Sequence, residues 1–235
     1  MNNNPLKQQI QGILPINKPA GITSFDIVRT LRKLLNIKKI GHAGTLDPLA
    51  TGVMVMLIGR PYTKLSDNLL NQDKEYVAIV KLGIETDSYD ADGTITATSE
   101  YVPSHEEVEE ALMQFQGSIE QIPPMFSAKK VDGKKLYQLA RQGQTIERKP
   151  VTVQVATKLI EYAYPLLTLR VTCSKGTYLR SIAHDIGKIL QCGGHVQSLE
   201  RTRSGKYLIE NCLTWKNLHD PNTDVTRYLE YSAKC

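Results

Sequence analysis

The rhythm of apolar residues predicts an α+β fold, a mixed and mostly antiparallel sheet flanked by helices. Three observations carry this. Strand-like and helix-like segments intermingle without a strict βαβ alternation. Lys74–Leu82 alternates as a half-buried antiparallel strand does, whereas residues 53–58 are continuously apolar and read as a strand buried on both faces. Between such segments lie runs with helical spacing that open on capping residues.

Taken in order, residues 1–11 are polar and read as a disordered tail. Residues 12–16 form a short apolar strand that runs into the turn Asn17-Lys18-Pro19-Ala20-Gly21. Thr23 or Ser24 can cap a helix carrying Ile27, Val28, Leu31, Leu34 and Leu35 at helical spacing. Residues 41–52 are a loop punctuated by three glycines and Pro48, followed by the apolar strand 53–58. Ser104 with Glu107 makes a capping box for a helix running to about Phe115. Residues 121–130 are irregular and contain Pro123-Pro124; residues 134–141 have helical spacing. Residues 151–155 and Leu166–Cys173 are rich in β-formers, and residues 177–190 form an amphipathic helix. Asp90-Ala91-Asp92-Gly93 hints at a calcium loop, but Ser88 and Ser99 would then occupy positions that need carboxylates, so a tight turn between strands is expected. His184-Asp185 falls mid-helix and is assigned no catalytic role.

The 235 residues, 41% of them hydrophobic, suffice for one well-buried core, or one core with a lobe. The net charge of +5 is modest, but its distribution is uneven. Arg29, Arg32, Lys33, Lys38 and Lys39 lie between Asp26 and Asp47 with no acid among them. Residues 125–150 hold Lys129, Lys130, Lys134, Lys135, Arg141, Arg148 and Lys149 against Asp132 and Glu147. Clustering of this kind suits a polyanionic partner, or equally a set of solvated faces. The four cysteines have no C-x-x-C spacing and are too scattered for a disulfide framework, which suits a reducing cytosol and makes a zinc knuckle unlike this pattern. No leader-like or membrane-length apolar run is present, so a soluble cytoplasmic protein is expected. No Walker A or dinucleotide fingerprint occurs.

The most informative stretch is Gly41-His42-Ala43-Gly44-Thr45-Leu46-Asp47-Pro48-Leu49-Ala50-Thr51-Gly52-Val53, an irregular backbone around one carboxylate just before a buried strand. It resembles the signature of the TruB family of tRNA pseudouridine synthases. Four further segments, in order and at family spacing over roughly residues 12–210, carry the same resemblance. They are residues 17–24, residues 74–78 with Tyr76, residues 121–130 with Gly133, Tyr137, Ala140, Arg141 and Gly143, and Gly176-Thr177-Tyr178-Leu179-Arg180.

The resemblance implies a pseudouridine synthase catalytic domain over residues 12–210, an RNA-binding insertion at 125–150, and a short C-terminal extension at 211–235 with no room for a full PUA domain. It implies isomerisation of a uridine in the T-arm loop of tRNA. The bond from uracil N1 to ribose C1′ breaks, the base turns, and C5 joins C1′; no atom is gained or lost, so neither cofactor nor metal is expected. Asp47 becomes the carboxylate acting at the sugar, as nucleophile or as base. Arg180 becomes its supporting guanidinium, favouring the ionised carboxylate. Tyr76 stacks on the flipped uracil and stands near the C5 proton. His42 fills space left in the RNA loop, Tyr178 and Leu199 line the uracil pocket, Lys18 and Pro19 support the floor, and Lys129 and Lys130 grip RNA. Glu200 departs from the family pattern, standing where a basic residue is expected. No obligate protein partner is expected, and a monomer is the default. Two competing readings are a guide-RNA-dependent pseudouridylase and a tRNA-folding chaperone with little or no catalysis.

Overall fold

The structure, a computed structural model, describes residues 10–231 apart from residue 132, and the side chains of residues 130 and 135 are not among those described. Most of the expected tail at 1–11 and the last four residues of the 211–235 extension therefore lie outside the described residues. The chain divides into two compact units, Met1–Gln72 with Thr202–Cys235, and Asp73–Arg201.

In the first unit, β1 (Gly12–Lys18) leads through the turn at Gly21 into α1 (Ser24–Leu35), followed by β2 (Ile40–His42), β3 (Thr51–Ile58), α2 (Arg60–Thr63) and α3 (Ser66–Leu70). Helix α1 starts at Ser24 because Thr23 caps it. The Thr23 side chain accepts from Asp26 N while the Asp26 carboxylate accepts from Thr23 N at 2.7 Å. Ile27, Val28 and Leu31 form its buried stripe, and Asn36 ends it in the left-handed conformation that terminates many helices. β3 is the expected doubly buried strand, with residues 53–58 each 1% exposed or less. It pairs antiparallel with β1, Gly12 opposite Ile58 and Lys18 opposite Gly52, and with β2, His42 opposite Met56. Burying each of these aliphatic side chains contributes on the order of 2 kcal/mol.

The second unit opens with β4 (Lys74–Leu82), the hairpin β5 (Ile84–Thr86) and β6 (Ile95–Thr98), α4 (His105–Met113) and β7 (Gln116–Gln121). The basic segment contributes the small hairpin β8 (Lys130–Val131) and β9 (Lys134–Lys135) and then α5 (Leu136–Ala140). The helix expected over 134–141 thus begins only at Leu136, because the two lysines before it pair as strand with residues 130–131. β10 (Val151–Ala163), β11 (Leu166–Cys173), α6 (Leu179–Ile189) and β12 (Gly194–Ser204) complete the unit, the last passing its boundary at Arg201. The strand order is β12-β4-β11-β10-β7. β4–β11, β11–β10 and β10–β7 are all antiparallel. Strand β4 alternates as expected, with Lys74, Tyr76, Ala78, Val80 and Leu82 all on its buried face. The Asp90–Gly93 segment is indeed the turn joining two antiparallel strands.

The chain then returns to the first unit with β13 (Tyr207–Leu208), β14 (Leu213–Thr214) and α7 (Trp215–Leu218); β14 lies parallel to β1, Ile16 opposite Leu213. The result is the expected α+β architecture, a mixed and mostly antiparallel sheet flanked by helices. Among the described residues no helix is long and apolar enough to cross a membrane.

Candidate active site

The first unit holds Lys18, His42 and Asp47. Asp47 is half-buried on an irregular loop, and the loop is pinned from three directions. Ala50 N donates to Asp47 O at 3.1 Å, closing a tight turn around Pro48. Ser24, whose side chain turns inward from the first residue of α1, accepts from Leu46 N and donates to Leu46 O, both at 2.9 Å. Gly21 N donates to Pro48 O at 2.9 Å; with φ near +83° this is a turn position that only glycine takes without strain.

Lys18 is completely buried, and its ammonium donates to Pro19 O at 2.9 Å, Ile22 O at 2.9 Å and Pro48 O at 3.1 Å. An ammonium has three protons, and three carbonyls here receive them. Lys18 therefore ties the turn after β1 to the residue beside Asp47. Lys18→Met keeps the apolar stem but strands three carbonyl oxygens. The expected cost is about 3 kcal/mol, a fall in Tm of roughly 6–12 °C for a chain of this length, measured by thermal melting. His42 is half-buried at the end of β2, two strand positions along from Ile40.

The second unit holds Tyr76, Lys129, Lys130, Tyr178, Arg180 and Leu199. Tyr76 is 8% exposed on the inward face of β4, opposite Val171 on β11. Near it on the same face, burial pulls the Lys74 ammonium below its ordinary range, with the Arg201 guanidinium adding to the effect. Leu199 is buried on β12. Lys129 is half-buried just before β8, while the side chain of Lys130 lies outside the described residues. Glu200, the departure from the family pattern, is exposed.

Tyr178 and Arg180 sit at the start of α6. The Tyr178 backbone is held at both ends by one side chain: Gln121 Oε1 accepts from Tyr178 N at 2.7 Å and Gln121 Nε2 donates to Tyr178 O at 3.0 Å. Ser181 Oγ donates to Ile122 O at 2.8 Å, so the end of β7 fixes the helix start. Arg180 is 5% exposed; it donates to Ser88 O at 3.2 Å and to Phe126 O at 2.9 Å, and stands 3.5 Å from the Asp90 carboxylate. Ser88 Oγ in turn donates to that carboxylate. Asp90 is thus a buried counter-charge for Arg180, a role the sequence reading missed when it treated the Asp90–Gly93 turn only as a turn. The available signal was the arginine itself: a guanidinium on the apolar face of a helix needs a carboxylate. One turn further along α6, burial raises the Asp185 carboxyl above its ordinary range. Among the described residues no three His, Cys, Asp or Glu side chains are grouped to hold a metal ion.

The family model described as "TruB family pseudouridylate synthase (N terminal domain)" matches residues 32–179, and that described as "tRNA pseudouridylate synthase B C-terminal domain" matches residues 180–230. The fold is that of a pseudouridine synthase, and the chain belongs to the TruB family of these enzymes. A "tRNA pseudouridine synthase B" of Chlamydia felis (strain Fe/C-56) is 59% identical over 219 residues, 93% of this chain and 93% of that one. One of Protochlamydia amoebophila (strain UWE25) is 59% identical over 210 residues, 89% of this chain and 80% of that one. Among solved structures, "Crystal Structure of a Cbf5-Nop10-Gar1 Complex" contains a chain 30% identical with a TM-score of 0.69, matched over 88% of this chain. This chain spans 53%, about half, of that longer one.

Proposed function

We propose that this enzyme isomerises a uridine in the T-arm loop of tRNA to pseudouridine, with Asp47 as the carboxylate acting at the ribose and no cofactor. The observation that carries the reading is the loop around Asp47. A half-buried carboxylate on irregular backbone, held by a buried ammonium and a serine that both act on the adjoining peptide groups, is a preorganised reactive group rather than a surface turn. Asp47 serves either as nucleophile at the sugar or as base there; the N1–C1′ bond breaks, C5 bonds to C1′, C5 gives up its proton and N1 gains one. The inward-facing Tyr76 supplies a stacking surface for the uracil and a hydroxyl for the C5 proton. Arg180 completes the catalytic set, and Tyr178, Leu199 and His42 shape the space for base and RNA loop. A tRNA carrying cytidine at the T-loop target should yield no product, whereas changes elsewhere in the T-loop should leave some; product from the cytidine variant would refute the site assignment.

The stand-alone tRNA enzyme is favoured over a guide-RNA enzyme by similarity: 59% identity across 93% of both chains against 30% for the Cbf5 complex, half of whose chain is matched. RNA grip is assigned in part to the basic segment at 125–150. Replacing Lys129 and Lys130 by alanine should lower the slope of log affinity against log salt by about 2 if both neutralise phosphates. An unchanged slope in a filter-binding titration removes the segment from the interface.

A further inference from the structure

Helix α6 presents Arg180 and, one turn later, His184 to the same β5–β6 turn. Arg180 addresses the two residues on either side of Tyr89, donating to the Ser88 carbonyl and pairing with the Asp90 carboxylate. His184 addresses Tyr89 itself. The two rings lie 3.9 Å apart between centroids with an angle of 11° between their planes, a close face-to-face stack. Tyr89 is held in the left-handed region with φ of 64°, a conformation that a bulky residue adopts only when its surroundings enforce it. Its backbone is fastened by Val196 N donating to Tyr89 O at 3.0 Å and Ala91 N donating to Val196 O at 2.9 Å. The His184 Nδ1 is buried and has no hydrogen-bond partner among the described residues. The ring contact His184 makes is this face-to-face stack on Tyr89.

We propose that the Tyr89–His184 stack is a positioning device for the reaction. By clamping the strained residue between Ser88 and Asp90, it holds the carbonyl and carboxylate that orient the Arg180 guanidinium. Loss of the stack lets Tyr89 relax toward negative φ, and because Ser88 and Asp90 are its covalent neighbours, both Arg180 contacts move with it. The inference rests on the reading of Arg180 as part of the catalytic set. Neither Tyr89 nor His184 touches a reacting atom in this account. The stack acts through Arg180, so its loss lowers kcat and leaves KM for tRNA nearly unchanged.

The test compares His184→Ala, His184→Phe, Tyr89→Phe and Arg180→Ala in steady-state turnover of full-length tRNA, with thermal melts of each. His184→Ala should lower kcat by about 10- to 100-fold, up to the scale of a catalytic group misplaced by about 1 Å, with KM little changed. His184→Phe and Tyr89→Phe keep an aromatic face on each side and should retain kcat near wild type. If His184→Phe falls as far as His184→Ala, the imidazole nitrogens matter and the stack proposal is wrong. If His184→Ala turns over normally while Arg180→Ala does not, the stack plays no part and the Arg180 assignment stands. If kcat and KM worsen together with a collapsed melt that His184→Phe does not rescue, the stack is merely structural and the proposal is overturned. Normal turnover by Arg180→Ala defeats the assignment on which the inference depends, and the inference with it.

Discussion

Asp47→Asn is expected to reduce turnover by at least about 10³-fold while leaving the fold and tRNA affinity close to wild type. The substitution replaces an ionisable carboxylate by a neutral amide of nearly the same shape. The loop's fastenings are backbone groups: Ala50 N on Asp47 O, Ser24 on Leu46, and Lys18 and Gly21 on Pro48. These fastenings run through backbone groups and survive the substitution, so the loop should stay folded, as thermal melting checks. An amide can still accept a hydrogen bond, but it cannot attack the sugar or take a proton from it. The signature is thus a bound, folded and inert enzyme. Near-normal kcat would assign the chemistry to another group.

Arg180→Ala should combine a large catalytic defect, about 10²-fold or more in kcat, with a real loss of stability. Arg180 and Asp90 have side chains only 6% and 8% exposed, and removing one partner leaves a buried carboxylate uncompensated. Breaking such a pair costs about 3–5 kcal/mol. Two carbonyls, on Ser88 and Phe126, also lose their donor. Arg180→Lys keeps the charge but cannot divide a planar fork among two carbonyls and a carboxylate, so it should recover part of the stability and little of the activity. Chemical denaturation read beside steady-state kinetics separates the two effects. Normal kinetics in Arg180→Ala would remove the arginine from the catalytic set.

The difference between what was and was not legible in the sequence lies in whether a feature is local. Strand β4 was readable end to end because its alternation is unbroken and its two faces differ. β3 was readable as doubly buried for the complementary reason. The start of α1 left two candidates, and only packing chooses: Thr23 bonds the free helix amide, while Ser24 turns inward to Leu46. β12 escaped because its burial along Gly194–Ser204 follows no two-residue period, and its Arg201 is buried rather than solvent-facing. β10 extends eight residues beyond the segment expected for it, since an irregularity between Leu159 and Glu161 breaks the alternation that would have marked its second half. At the site, motif spacing picked out Asp47, Tyr76 and Arg180 but could not reveal Asp90. A D-A-D-G turn does not say which carboxylate points inward, and the answer depends on an arginine ninety positions away in the chain.

The most direct test of the central claim is tritium release from unmodified tRNA labelled at uridine C5, with wild-type enzyme and Asp47→Asn side by side. The wild type should release the T-loop target's tritium stoichiometrically and the variant none, with equal tRNA binding by both. Release by Asp47→Asn at a comparable rate, or tight binding by the wild type with no release, would contradict that claim.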